Sequence, residues 1–186
     1  MSAGARIWLL LAAVTLTAPG LPAADRKASL YQMHEKLTNQ DGKGIDLDVY
    51  RGHKVLVTMF YGSCPATCPL IIDTLRAIER KAKPERGAEI RVLLISFDAE
   101  RDTPGALHEL AQTRHIDTAR WTLAHADAAA VRRIAAALSI QYKPLPGGQF
   151  SHSTIISALD ADGAIVVQSS ELGHADPEVL RVLDSP

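Results

Sequence analysis

The chain has 186 residues, a formal net charge of -1, 47% hydrophobic residues and 22% charged residues. That composition suits one globular domain with an adequate core, and the near-neutral charge argues against a nucleic-acid surface. Neither an internal repeat nor a low-complexity block is present, which excludes a solenoid or a scaffold of biased composition.

Residues 1–24 differ from the rest. Arg6 supplies a positive charge, Ile7 to Leu16 is apolar (IWLLLAAVTL), and TAPGLPAA offers helix breakers followed by small residues. This is the three-part pattern of a secretory signal peptide, with cleavage expected near Ala23 or Ala24. The apolar run is well short of the ~20 residues a spanning helix needs. The alternative is a membrane anchor, if the segment stays uncleaved. Residues 25–186 are then one mature domain, expected to work outside the cytoplasm, in a periplasm-like compartment where disulfides persist.

From Asp25 to Asn39 the chain is polar, with a short helix expected around Leu30 to Leu37, and NQDGKG is a turn signal. Lys54 to Phe60 is an apolar run of strand length, rich in β-branched residues. Leu70, Ile71, Leu75 and Ile78 then recur at helical spacing up to about Lys83, and Glu89 to Phe97 is a second buried-strand pattern. RDTPGALHEL opens a helix, with Asp102 or Thr103 as its cap and Pro104 in its first turn. Trp121 to Ala126 reads as a short strand. Asp127 caps a helix whose Val131, Ile134, Ala135 and Leu138 form an apolar stripe. After the Pro- and Gly-rich loop YKPLPGGQF, Thr154 to Leu159 and Ala164 to Gln168 flank a DADG hairpin turn. Asp176 or Pro177 opens the last helix.

Strands alternating with helices predict an α/β fold: a mainly parallel sheet covered on both faces, made mixed by the closing hairpin. A β-α-β unit followed by ββα is the thioredoxin-like arrangement, which by itself says nothing about function.

Both cysteines, Cys64 and Cys68, lie in FYGSCPATCPLI, where the first strand gives way to a helix. Pro69 predicts a helix that starts there, with Cys68 at its cap and Cys64 in the preceding loop. A thiol at a helix N-terminus favours the thiolate form. Three chemistries fit this placement. A structural disulfide would close so small a loop that it constrains the unfolded chain little. A redox dithiol would differ from the usual thioredoxin-type motif, having three intervening residues where that has two. A metal site would offer soft thiolates suited to Cu(I) or Zn. Structural zinc normally takes four protein ligands and there are no further cysteines, so a site completed by one histidine suits copper better.

Seven histidines compete for that place. His34 lies in the polar N-terminal stretch, His108 and His115 lie along one helix on its solvated side, and His53 belongs at the far end of the first strand. His125 ends the Trp121 to Ala126 strand. His174 precedes the last helix and is the runner-up. His152, in SHSTIIS, opens a strand after the Pro/Gly loop, and chain order makes it the candidate third ligand.

Three separated segments resemble the Sco/SenC family: CPATCP (Cys64 to Pro69) its C-P-x-x-C-P, SFDAERDTP (Ser96 to Pro104) its S-x-D-P-E-R-D-T-P, and SHSTIISALDADG (Ser151 to Gly163) its histidine strand and D-x-x-G turn. The resemblance covers roughly Leu37 to Leu183. It implies an extracytoplasmic thioredoxin-fold protein in which Cys64, Cys68 and His152 bind one copper ion, Cu(I) or Cu(II), and pass it to a copper enzyme such as cytochrome c oxidase. It also implies that Asp98 and Asp102 lie near the site, although for Asp102 a helix cap is an equally good reading. Ala66 and Ala99 depart from the usual pattern, which carries an acidic residue and a proline there. The expected partners are a copper-receiving protein such as an oxidase subunit, and a thiol reductant protein. Nucleic acid is not expected, and membrane contact only through an uncleaved N-terminal segment. The alternative function is a thiol–disulfide oxidoreductase that keeps a target's copper-ligand cysteines reduced.

Overall fold

The structure is a computed structural model, described here for residues 28–64, 67–83 and 89–185. The expected signal peptide, residues 1–24, lies outside the described residues.

The segment from Leu30 forms a single 3-10 turn, Leu30–Met33, capped by Ser29, rather than a helix reaching Leu37. His34 takes a left-handed conformation (φ 53°) and ends the turn. Leu37 then falls in a strand, β1 (Lys36–Asn39), because the NQDGKG turn lets it pair antiparallel with β2 (Gly44–Asp46).

The centre of the molecule is made by β3 (Lys54–Phe60) and β4 (Ile90–Ser96), parallel and in register from Lys54 opposite Ile90 to Phe60 opposite Ser96. Every residue of β3 from Val55 to Phe60 is buried, so both faces of the sheet are covered there and the sequence reads as a continuous apolar run. β5 (Trp121–His125) continues the parallel set beyond β4 and pairs antiparallel with β1. On the other side, Thr58 sends its hydroxyl to the Ile155 carbonyl at 2.7 Å. After two short strands, β6 (Tyr142–Pro144) and β7 (Phe150–His152), the chain returns as β8 (Ile156–Leu159), antiparallel to β3, and turns through DADG into β9 (Ile165–Ser169). The seven-stranded order is β2-β1-β5-β4-β3-β8-β9.

The four α-helices start at the caps read from the sequence or one to two residues from them. These are α1 (Thr67–Lys81), α2 (Pro104–Thr113, capped by Thr103), α3 (Ala128–Ala137, capped by Asp127) and α4 (Pro177–Asp184, capped by Asp176). α1 turns Ile71, Ile72, Leu75 and Ile78 inward, and α3 turns in Val131, Ile134 and Ala135. Each of the isoleucine, leucine and valine side chains stabilises the fold by roughly 1.5–3 kcal/mol relative to exposure. No helix of the described residues is long and apolar enough to cross a membrane.

YKPLPGGQF, expected as a loop, is instead a hairpin. β6 and β7 pair antiparallel, Tyr142 opposite His152, in a two-stranded sheet separate from the main one. A bare two-stranded hairpin is marginal in water. This one is supported from below, because the Phe97 ring stacks on Tyr142 (centroids 4.8 Å apart) and Tyr61 meets the Phe150 ring edge-on at 5.2 Å. His152 therefore closes β7 and does not open the strand that follows it.

Candidate metal centre

Three segments converge where the parallel strands end. β3 runs out at Phe60 and leads through Tyr61, Gly62 and Ser63 to Cys64. β4 runs out beside it at Ser96, and the Phe97 N–H donates to the Phe60 carbonyl at 2.8 Å. The hairpin brings in His152. Crevices at strand C-termini are where open α/β sheets place their ligands.

The cysteine loop is tied by its own backbone. Cys64 N–H donates to the Tyr61 carbonyl at 3.2 Å. Cys68 N–H donates to Cys64 Sγ at 3.3 Å. The helix begins at Thr67, two residues before the proline, so Cys68 sits inside the first turn and not at its cap. Proline's bias against an α conformation in the residue before it is overcome here. The sulfur of Cys64 satisfies an amide that the first turn leaves without a helical partner, and Cys68 is packed in the core. Pro69 still falls in that first turn, where its missing N–H costs nothing.

The imidazole of His152 lies against two rings, 5.1 Å from Phe97 and 6.0 Å from Tyr61, perpendicular to the latter. Its Nδ1 is 3.1 Å from the Ser153 carbonyl. With the proton on Nδ1 the ring donates to that carbonyl, and Nε2 keeps its lone pair, the usual arrangement of a metal-binding histidine.

Cys64, Cys68 and His152 form a group whose ligand atoms all lie within 4.8 Å of one another. Both thiols are buried and the imidazole is half-buried. Two sulfurs and one ring nitrogen in this arrangement could hold a soft metal ion such as copper. The expectation that the helix N-terminus lowers the Cys68 pKa is not met. Burial pushes that thiol well above its usual value, against a pull from the Tyr61 amide, and contact with Cys64 and the charge of Asp102 push it further. Desolvation disfavours the charged thiolate and is the largest influence on this buried group. Burial also raises the Tyr61 hydroxyl, with both cysteines adding to the shift.

The other histidines go elsewhere. His174 is exposed, with its ring 3.9 Å from Glu171, and is not part of the group, although its neighbour Gly173 donates to Thr74 of α1 at 2.9 Å. His108 faces Asp41 at 3.6 Å and is exposed. His115 takes a left-handed conformation after α2, His125 pairs across to Thr38, and His53 precedes β3.

Asp98 and Asp102 are both buried, and Asp102 lies beside the cysteine loop. Asp102 is not the cap of α2; that is Thr103. Its Oδ2 accepts from the Gly62 N–H at 2.8 Å and from the Ser96 hydroxyl. Gly62 allows this approach, since a Cβ there would sit 2.6 Å from Asp102 Oδ1. Asp98 accepts from the Arg101 side chain, and the Arg101 guanidinium also reaches the Gly148 carbonyl in the hairpin. Sequence reasoning did not single out Tyr61, Phe97, Phe150 or Arg101. The only available signal for the aromatics was that Tyr142 and Phe150 lie on either side of LPGG, although their strand partners are His152 and Pro144.

The sequence model of one protein family, SCO1/SenC, matches residues 23–182. The chain belongs to that family. Over 83 residues it is 28% identical to the SCO1 protein homolog of Bacillus subtilis, and over 80 residues 30% identical to a SCO2-like protein of Rickettsia prowazekii. The matched segments span 45% and 43% of this chain and only 42% and 38% of those relatives. Its fold is similar to that of Arabidopsis thaliana ScoI with copper bound (TM-score 0.69, 20% identity, 80% of this chain and 92% of that one). It is likewise similar to yeast Sco1 with copper bound (TM-score 0.61, 20% identity, 72% and 76%) and to BsSco, a Sco protein in which a disulfide switch was identified (TM-score 0.64, 20% identity, 84% and 92%). The thioredoxin-like α/β fold expected from the strand and helix order is the one these neighbours share.

Proposed function

We propose that this chain is an extracytoplasmic copper-binding protein of the Sco type. Cys64 and Cys68 supply thiolates and His152 supplies an imidazole to one copper ion, which is passed to a copper enzyme under assembly such as cytochrome c oxidase. The observation that carries this reading is the closeness of the three ligand atoms, all within 4.8 Å of one another, with both cysteines buried. Copper in the Arabidopsis and yeast relatives supports the choice of metal, and the family's description as cytochrome c oxidase assembly proteins supports the class of recipient. The signal pattern of residues 1–24, and a family member described as a lipoprotein in Bacillus anthracis, support a place outside the cytoplasm.

Copper would serve here as cargo. Binding requires both thiols to lose their protons, and their burial makes that costly without a cation. Copper is therefore exchanged together with protons, and oxidation of the pair to a disulfide would discharge it. The test is anaerobic titration of the reduced protein with Cu(I) and with Cu(II). One equivalent of each and a thiolate-to-copper absorption band with Cu(II) are expected; the absence of any stoichiometric binding would refute the reading.

A second reading is favoured by the adjacency of the two sulfurs. A thiol pair this close can exchange electrons with a target's disulfide, so the same loop can act as a thiol–disulfide oxidoreductase. Reduction of a recipient's copper-ligand disulfide by copper-free protein, with loss of both thiols, would establish that activity.

A further inference from the structure

His152 sits on a part of the fold that the main sheet does not hold. The β6–β7 hairpin is a sheet of its own, and its internal bonds, such as Gln141 N–H to Ser153 Oγ at 2.9 Å, fix its shape but not its place. The rings of Phe97 and Tyr61 give it an apolar seat against its own Tyr142 and Phe150, and the Tyr61 hydroxyl meets the Phe150 backbone. A second directional tie, nearer the hairpin tip, comes from Arg101. Its Nε donates to Asp98, a buried carboxylate whose own N–H donates to Ser96 Oγ at 2.9 Å, and its Nη2 donates to the carbonyl of Gly148 near the hairpin tip. Gly148 is in the left-handed region (φ 75°), and a Cβ there would run into the guanidinium. The arginine thus occupies a notch that glycine leaves open.

Asp102, the next residue, accepts from the Gly62 amide and so holds the cysteine loop. One short segment, residues 96–102, therefore grips both ligand-bearing parts: the thiols through Asp102 and the imidazole through Arg101. We propose that Arg101 is a positioning residue for the metal site. By spanning Asp98 and Gly148 with the two edges of its planar fork, it holds the hairpin, and with it His152, at coordinating distance from the thiols before metal arrives. The inference rests on Cys64, Cys68 and His152 being the copper ligands. It gives the SFDAERDTP motif a mechanical role in addition to starting a helix.

The experiment compares wild type, Arg101→Ala, Arg101→Lys, His152→Ala and the double variant Arg101→Ala/His152→Ala. Loss of an outer partner of a metal ligand typically costs about 10- to 100-fold in affinity. Cu(II) affinity of Arg101→Ala should drop by that order, and its absorption band should move toward that of His152→Ala. Cu(I), which two thiolates can hold, should change by less than about threefold, since two-coordinate binding suits it. The double variant should bind Cu(II) no more weakly than His152→Ala, because the two residues act as one unit. Lysine keeps the charge but lacks the fork, so Arg101→Lys should recover only part of the loss. In the metal-free reduced protein, hydrogen exchange at Tyr142 and His152 should speed up in Arg101→Ala while that of β3 and β4 stays unchanged.

Three results would overturn the proposal: wild-type Cu(II) binding in Arg101→Ala, strictly additive losses in the double variant, or full recovery in Arg101→Lys. If wild type itself binds no copper, the ligand assignment is what fails; if wild type binds and Arg101→Ala binds equally well, the positioning role alone fails.

Discussion

The amide of Gly62 and the carboxylate of Asp102 meet at 2.8 Å across the gap between the cysteine loop and the start of α2. The bond leaves no room for a side chain at residue 62. Gly62→Ala should push the carboxylate aside, break this bond and strain that of Ser96, at a cost of about 1–3 kcal/mol for the unsatisfied buried groups. Urea unfolding measures it. An unchanged midpoint would mean that the loop accommodates the methyl without losing the bond. Asp102→Asn, which keeps an acceptor oxygen, should cost less than Asp102→Ala.

The two candidate histidines differ in surroundings, and so should their variants. His152→Ala should weaken Cu(II) binding and shift its absorption while the fold survives, and Cu(I) should be held largely by the two thiolates. His174, exposed beside Glu171, should be replaceable by alanine with no effect on either ion. Parallel titrations of the two variants decide this, and equal Cu(II) behaviour of His152→Ala and wild type would remove His152 from the site.

The sulfurs of Cys64 and Cys68 lie within 4.8 Å of each other, and a reversible disulfide between them is the expected outcome. Thiol counts on the folded protein should go from none after mild oxidation to two after mild reduction. Should reduction require denaturant, the pair would be a buried staple and both proposed activities would lose their basis.

Acid should destabilise the protein through identifiable carboxylates. Hydrogen bonds from Arg133 hold Glu35 below the usual carboxylate range, and the Ser169 hydroxyl at 2.6 Å, with the Glu178 amide, does the same for Asp176 at the start of α4. A depressed pKa in the folded state means that the unfolded chain takes up protons first as pH falls. The stability these groups contribute is therefore complete above the ordinary carboxylate range and is lost as pH falls through it into the depressed range. Glu79 and Asp102, both raised by burial, act in the opposite sense. A comparison of Asp176→Asn with wild type isolates one contributor, since asparagine also caps a helix well. The variant's urea midpoint should fall less steeply between neutral and acid pH. Identical slopes would show that Asp176 titrates normally.

Legibility from sequence followed the range of the forces involved. β3 and β4 were readable because strands buried on both faces must be apolar at every position, as Val55 to Phe60 are. Asp127 and Asp176 were readable as caps because capping is local. The hairpin was not, because Tyr142 and Phe150 become strand residues only by packing on Phe97, which is far away in sequence. Cys68 misled for a similar reason. The helix start is visible in the local sequence, whereas the burial that raises this thiol comes from the folded core. Arg101 could not be read at all, since its partner Gly148 is distant in the chain and glycine there looks like any other turn residue.

The wide spacing of the three donors along the chain has a thermodynamic consequence. Cys64 and Cys68 precede β4, α2, β5 and α3, and His152 follows them. An ion held by all three would close a loop around more than half of the parallel sheet, and the unfolded chain, lacking that geometry, would bind it far less well. By linkage, each tenfold excess of free ion over its dissociation constant adds about 1.4 kcal/mol to the folded state. Loaded and empty protein would then differ in lifetime as well as in cargo. The empty molecule, whether never loaded or since discharged, would be the easier target for proteolysis, so occupancy of the site would set which copies persist.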